Sequence, residues 1–125
     1  MKTSVREYQI LSPVFEDCWK IFSAQFPHLQ HPIMRIGRNK KTWGICYHYS
    51  LARISLSKRL ARTTLEFQRH VIFHELCHLI YPNHRREFYD LLDRFDPTYQ
   101  KQDERINSRI EKMEEMRRKV MGESV

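Results

Sequence analysis

The chain reads as a single α+β domain, and three observations carry that reading. Its 125 residues suit one hydrophobic core and leave no room for two. Apolar residues recur at helical spacing near the start and again after residue 65, while the stretch between is partly alternating and rich in β-branched and aromatic residues. A 41% hydrophobic share excludes a disordered chain, and no apolar run nears the roughly 20 residues that span a membrane. One domain over 1–125 is expected, with its core at about 13–100 and a charged helix at 101–125.

Ser12-Pro13 introduces the first helix, expected over 13–25, with Ser12 capping and Pro13 at the first helical position. Val14, Phe15, Cys18, Trp19, Ile21, Phe22 and Phe26 follow at helical spacing. Pro27 and Pro32 then break the chain. Three strand candidates come next, at 33–36, 43–49 and 52–57, and are expected to pair as a small antiparallel sheet. The stretch 65–80 is apolar throughout, long enough for a buried helix, and stops before Pro82. Asn83 is the candidate cap of a further helix whose stripe is Phe88, Leu91, Leu92 and Phe95. A last helix is expected from Thr98 or Gln102 to Met121, with Ile106, Ile110, Met113 and Val120 along one side.

The net charge of +7 is unevenly placed. From Cys18 to Leu65 there is no acidic residue, while Lys20, Arg35, Arg38, Lys40, Lys41, Arg53, Lys58, Arg59 and Arg62 are basic. Such a half suits nucleic acid or an acidic partner, and equally suits solubility without a ligand. Arg35, Arg38, Lys40, Lys41, Lys58, Arg59 and Arg62 are the candidate nucleic-acid contacts. The N-terminus does not open into a secretion signal, so the cytoplasm is the expected compartment, with no membrane partner. Cys18, Cys46 and Cys77 form no CxxC pair and read as buried thiols. His28, His31, His48 and His70 lack paired spacing and read as surface or turn histidines.

His74-Glu75-Leu76-Cys77-His78 lies inside the long apolar helix. Residues at i and i+4 share a face, so both imidazoles can address one metal ion while Glu75 reaches a water beside it. This is the HExxH pattern of zincins, which fixes only three positions; its bland alternative is two histidines on a helix surface. A hydrolytic zinc site wants three protein ligands, and His84, ten residues after His74, arrives from beyond the helix end. Glu87 or Asp90 could fill that place instead, but the spacing favours His84. Metzincins share the spacing yet carry glycine where this chain has Tyr81.

Trp43-Gly44-Ile45-Cys46, Ile54-Ser55-Leu56-Ser57-Lys58-Arg59-Leu60, Val71 through Leu79, Pro82-Asn83-His84 and Phe88-Tyr89 occur in the order found in YgjP-like metallopeptidase domains, which this chain resembles from about Trp43 to Gln100. The preceding helix and strand look more like SprT-like zinc metallopeptidases. The resemblance implies a minimal zincin-like fold, one Zn2+ per chain on His74, His78 and His84, and Glu75 as catalytic acid/base. Ile45 and Tyr89 depart from the usual serine and tryptophan, and the front half is shorter than in full YgjP-like proteins.

The expected activity is peptide hydrolysis by a zinc-activated water, with Glu75 removing and returning the proton. Protein or peptide is the expected substrate, and DNA or DNA-associated protein an expected partner. Tyr81, Tyr89 and His48 are candidates for oxyanion or substrate contact, and strand 52–57 for substrate strand addition. Two other readings remain. A ribonuclease similar to YbeY also spaces three histidines this way but lacks the glutamate after the first. A non-catalytic module could keep zinc for stability and bind nucleic acid.

Overall fold

The computed structural model describes residues 5–38, 40–48 and 51–97. The order is α1 (Val5–Gln25), β1 (Ile33–Gly37), β2 (Gly44–Tyr47), β3 (Arg53–Ser57), a 3-10 helix (Lys58–Arg62), α2 (Leu65–Cys77) and α3 (Arg86–Phe95). The α+β class holds. The helix expected at the C-terminal end lies outside the described residues.

α1 begins eight residues before Pro13, so Ser12 is mid-helix and caps nothing there. The reason is packing. Leu11, Phe15, Cys18 and Phe22 form one fully buried stripe, and its first member precedes the proline. Burying Leu11 in a continuous helix offsets the hydrogen bond that Pro13 cannot donate. The helix ends at Gln25, ahead of Phe26-Pro27, where proline disfavours the helical conformation of the residue before it.

The sheet is mixed, not antiparallel as its alternation suggested. Its order is β1-β3-β2, with β1 parallel and β2 antiparallel to β3. The chain leaves β1, skips one strand position to lay down β2, and returns to fill the gap. Met34 pairs with Ile54, Gly44 with Leu56 and Cys46 with Ile54, so these residues share the face that α1 and α2 cover. On the opposite face Ile33, Arg35 and Tyr47 are exposed.

α2 is buried on nearly every side, between α1, the sheet and α3. Thr64 caps it by accepting from the Phe67 amide at 3.2 Å. The Gln68 side chain, itself buried, donates to the carbonyls of Leu60 and Thr63 at 3.1 Å each, satisfying the end of the 3-10 helix. The α-helix stops at Cys77, three residues sooner than its apolar run. His78 caps it, and a tightened turn follows in which the amides of Ile80 and Tyr81 both donate to the Cys77 carbonyl. α3 starts after Arg85, with no side-chain cap, so Asn83 does not cap it.

Candidate metal centre

The early end of α2 shapes the site. His74 and His78 project from its last turn, and residues 81–85 run without helix, which brings His84 back over them. His84 Nε2 lies 3.1 Å from His74 Nε2 and 3.0 Å from His78 Nε2. Among the described residues these three histidines alone form a cluster able to hold a metal ion, with ligand atoms within 4.8 Å of one another. His74 is buried, His78 half-buried and His84 exposed, so the cluster opens to solvent on one side. Phe88 of α3 floors it, with ring centroids 4.9, 4.5 and 5.1 Å from those of His74, His78 and His84.

His78 Nδ1 donates to the Tyr81 carbonyl at 3.0 Å, which leaves its Nε2 a lone pair facing the cluster. Burial, then the neighbouring His78, His84 and His70, pushes His74 well below the ordinary imidazole range. Burial and His84 lower His78 to about 4, against the raising effect of its bond to Tyr81. Three converging imidazole nitrogens, with burial disfavouring the protonated form of His74 and His78, are the donor set that a borderline divalent ion such as zinc takes, and the residues fit it.

Glu75 is 6% exposed, and burial alone pushes its carboxyl up to about 8. It lies against β2: a methyl group built on Gly44 would stand 2.9 Å from Glu75 Cγ. Cys46, two residues along the strand, feels the same carboxyl. Burial first, then Glu75, raises its thiol to about 12, so it stays a protonated packing group. Cys77 is fully buried and outside the cluster, and burial raises its thiol too.

These shifts make the stability of the metal-free domain depend on pH in a defined way. Between 4.5 and about 8 the folded chain holds a proton on Glu75 that the unfolded chain releases, so stability falls as pH rises. His78 acts oppositely between about 4 and 6.5, where the unfolded chain takes up a proton that the folded one refuses. Above 6.5 the Glu75 effect stands unopposed by His78. Metal-free protein is expected to lose on the order of 2 kcal/mol between pH 6.5 and 8. Glu75→Gln should remove that loss in denaturant titrations; equal slopes for the two chains would contradict it.

The remaining candidates scatter. Tyr81 is exposed and contributes its carbonyl to His78, while the Tyr89 ring sits 6.3 Å from His84. His48 Nε2 is 3.8 Å from Cys46 Sγ, at the edge of the site. Glu87 and Asp90 are exposed and outside the cluster, Asp90 facing Arg86 at 3.9 Å. Arg35, Arg38, Lys40, Lys41, Lys58 and Arg62 are exposed. Arg59 turns inward, donating to the Lys40 carbonyl at 2.7 Å and lying 4.8 Å over the Trp43 ring. β3 is bonded to a strand on each side, so strand addition at 52–57 is ruled out; the sheet edge beside α2 is β2.

The reading of His70 is overturned as well: it is neither a surface nor a turn residue. It is fully buried, one turn before His74, and its Nδ1 pairs with Asp96 Oδ2 at 2.7 Å, tying α2 to the end of α3. Its place four residues before His74, inside the apolar run, is the signal that could have found it.

A family model described as YgjP-like, metallopeptidase domain, matches residues 7–109. No curated protein matches the chain. The family match takes in α1 and β1, beyond the stretch from Trp43 to Gln100 on which the resemblance rested. No helix among the described residues is long and apolar enough to cross a membrane.

Proposed function

This chain belongs to the YgjP-like metallopeptidase family, and from that premise we propose that it is a zinc-dependent peptidase, with His74, His78 and His84 holding one ion and Glu75 moving the proton. The observation that carries the reading is the convergence of three imidazole nitrogens, one oriented by the Tyr81 carbonyl, beside a buried carboxyl on the same helix turn. A bound zinc ion supplies Lewis acidity, which polarises a carbonyl oxygen and acidifies water. The protein's own groups do the rest. Glu75 accepts a proton from the attacking water and delivers it to the departing amine nitrogen. Phe88 and the body of α2 keep the inner side of the site dry, which strengthens charge interactions within it. β2 is the edge against which an extended substrate segment can lie.

A ribonuclease of the three-histidine kind does not need a carboxyl next to the first histidine, so Glu75 favours peptide hydrolysis. Removing metal with a chelator is expected to abolish cleavage of an unfolded protein, and one equivalent of zinc to restore it with the fold unchanged. Loss of the fold on chelation would support the non-catalytic, zinc-stabilised module instead.

The cationic stretch is the basis for proposing nucleic acid, or protein bound to it, as a partner. Residues 18–65 hold no acid, leaving all 15 acidic residues to the rest of the chain. Affinity for a single-stranded oligonucleotide should fall steeply with salt and weaken in Arg38→Gln/Lys41→Gln. Salt-independent or absent binding would remove this partner.

A further inference from the structure

We propose that Gly44 is a positioning residue for Glu75: β2 packs its bare backbone against the glutamate side chain, and the missing side chain at 44 is what leaves the carboxylate its place. The inference rests on the peptidase reading above. A methyl group at Gly44 would stand 2.9 Å from Cγ of Glu75, 3.2 Å from Oε2 and 3.3 Å from Cδ. The first of these is closer than real contacts allow, and the atom met is the middle of the side chain, whose displacement carries the carboxylate with it.

The usual reason for a glycine is absent. Gly44 does not adopt a left-handed backbone conformation, so any residue could take its torsions. It is the first residue of β2, paired with Leu56, and contributes no side-chain packing there. Room for Glu75 is what remains.

Neither partner can retreat. Glu75 lies between Leu76 and His74 on a buried helix, so its backbone cannot shift without moving a histidine of the cluster. On the strand side, Gly44 is paired with Leu56, and the Trp43 carbonyl accepts from the Ser57 amide at 2.9 Å. The Trp43 ring is contacted by the Arg59 guanidinium, 4.8 Å from its centroid, and by the Phe67 ring in a T-shaped pair with centroids 5.0 Å apart. Arg59 also ties down the Lys40 carbonyl at 2.7 Å. A side chain at 44 is therefore relieved by rotation of the Glu75 side chain alone.

The test is a double-mutant cycle on Gly44→Ala and Glu75→Ala, with kinetics on the zinc-loaded chains. Gly44→Ala should bind one zinc as the unaltered chain does and keep KM, while kcat falls about 100-fold, the scale of a misplaced catalytic group. It should lower Tm by about 5 °C when Glu75 is present and by nothing in Glu75→Ala, where the colliding atoms are gone. If Gly44→Ala alone does not fold, Gly44→Ala/Glu75→Ala should. Unchanged kcat, an equal Tm loss in both backgrounds, or a double variant that also fails to fold would each overturn the proposal. The cycle reads the contact without substrate, so an inactive parent chain overturns the peptidase reading while the cycle still decides whether the two residues are coupled.

Discussion

Glu75→Gln is expected to keep the metal and lose peptide hydrolysis. Glutamine matches the shape of the buried carboxyl but cannot take a proton, so the substitution removes the proton carrier and leaves the packing against Gly44. The general acid/base share of a hydrolytic rate is about 100- to 10,000-fold, which is the expected fall in kcat. Burial alone holds Glu75 protonated at neutral pH in the metal-free chain, with its carboxyl at about 8. A dication on the neighbouring histidines favours the ionised form, so the base is ready only when the site is loaded. The variant should accordingly match the parent in zinc stoichiometry and be no less stable at pH 7. Hydrolysis within a few-fold of the parent would remove Glu75 from the mechanism.

His84→Ala should weaken zinc binding by roughly 100- to 1,000-fold, taking structural zinc affinities of about 10–16 kcal/mol as shared among the four ligands of such sites. The exposed position of His84 makes it the clean probe. Removing it opens no cavity, so the fold should survive and the loss be confined to the metal. His74→Ala should lose metal as strongly and also destabilise the chain, because His74 is 7% exposed and packs against Phe88. Competition against a chromophoric chelator reads both. Unaltered affinity in His84→Ala would return the third-ligand question to Glu87 or Asp90.

Much of this was legible in the sequence, for physical reasons that also explain what was not. The histidine trio is local: i and i+4 on one helix, plus a third residue just past a proline-marked break. Spacing therefore brings it within view. α3 is equally plain because Phe88, Leu91 and Leu92 make a single stripe on an otherwise charged helix. The start of α1 was hidden because Ser12-Pro13 imitates a helix beginning. Only the burial of Leu11, a tertiary fact, shows that the helix runs through it. Strand direction was hidden too, since alternation specifies faces and not neighbours; the β1-β3 pairing depends on which gap the chain fills. The role of His70 is hidden as well, because its partner, Asp96, is far along the chain. Gly44 has no legible role in the sequence, because what it makes room for, the Glu75 side chain, lies on another element.

Peptide-bond hydrolysis at this three-histidine site is the proposal on which the rest depends. Its most direct test is mass spectrometry of products after the zinc-loaded chain meets an unfolded protein and a single-stranded RNA together in oxygen-18-labelled water. New peptide carboxyl termini carrying the label are expected, none of them formed by Glu75→Gln, with the RNA intact. Labelled RNA fragments beside uncut protein would contradict it and hand the site to the ribonuclease reading.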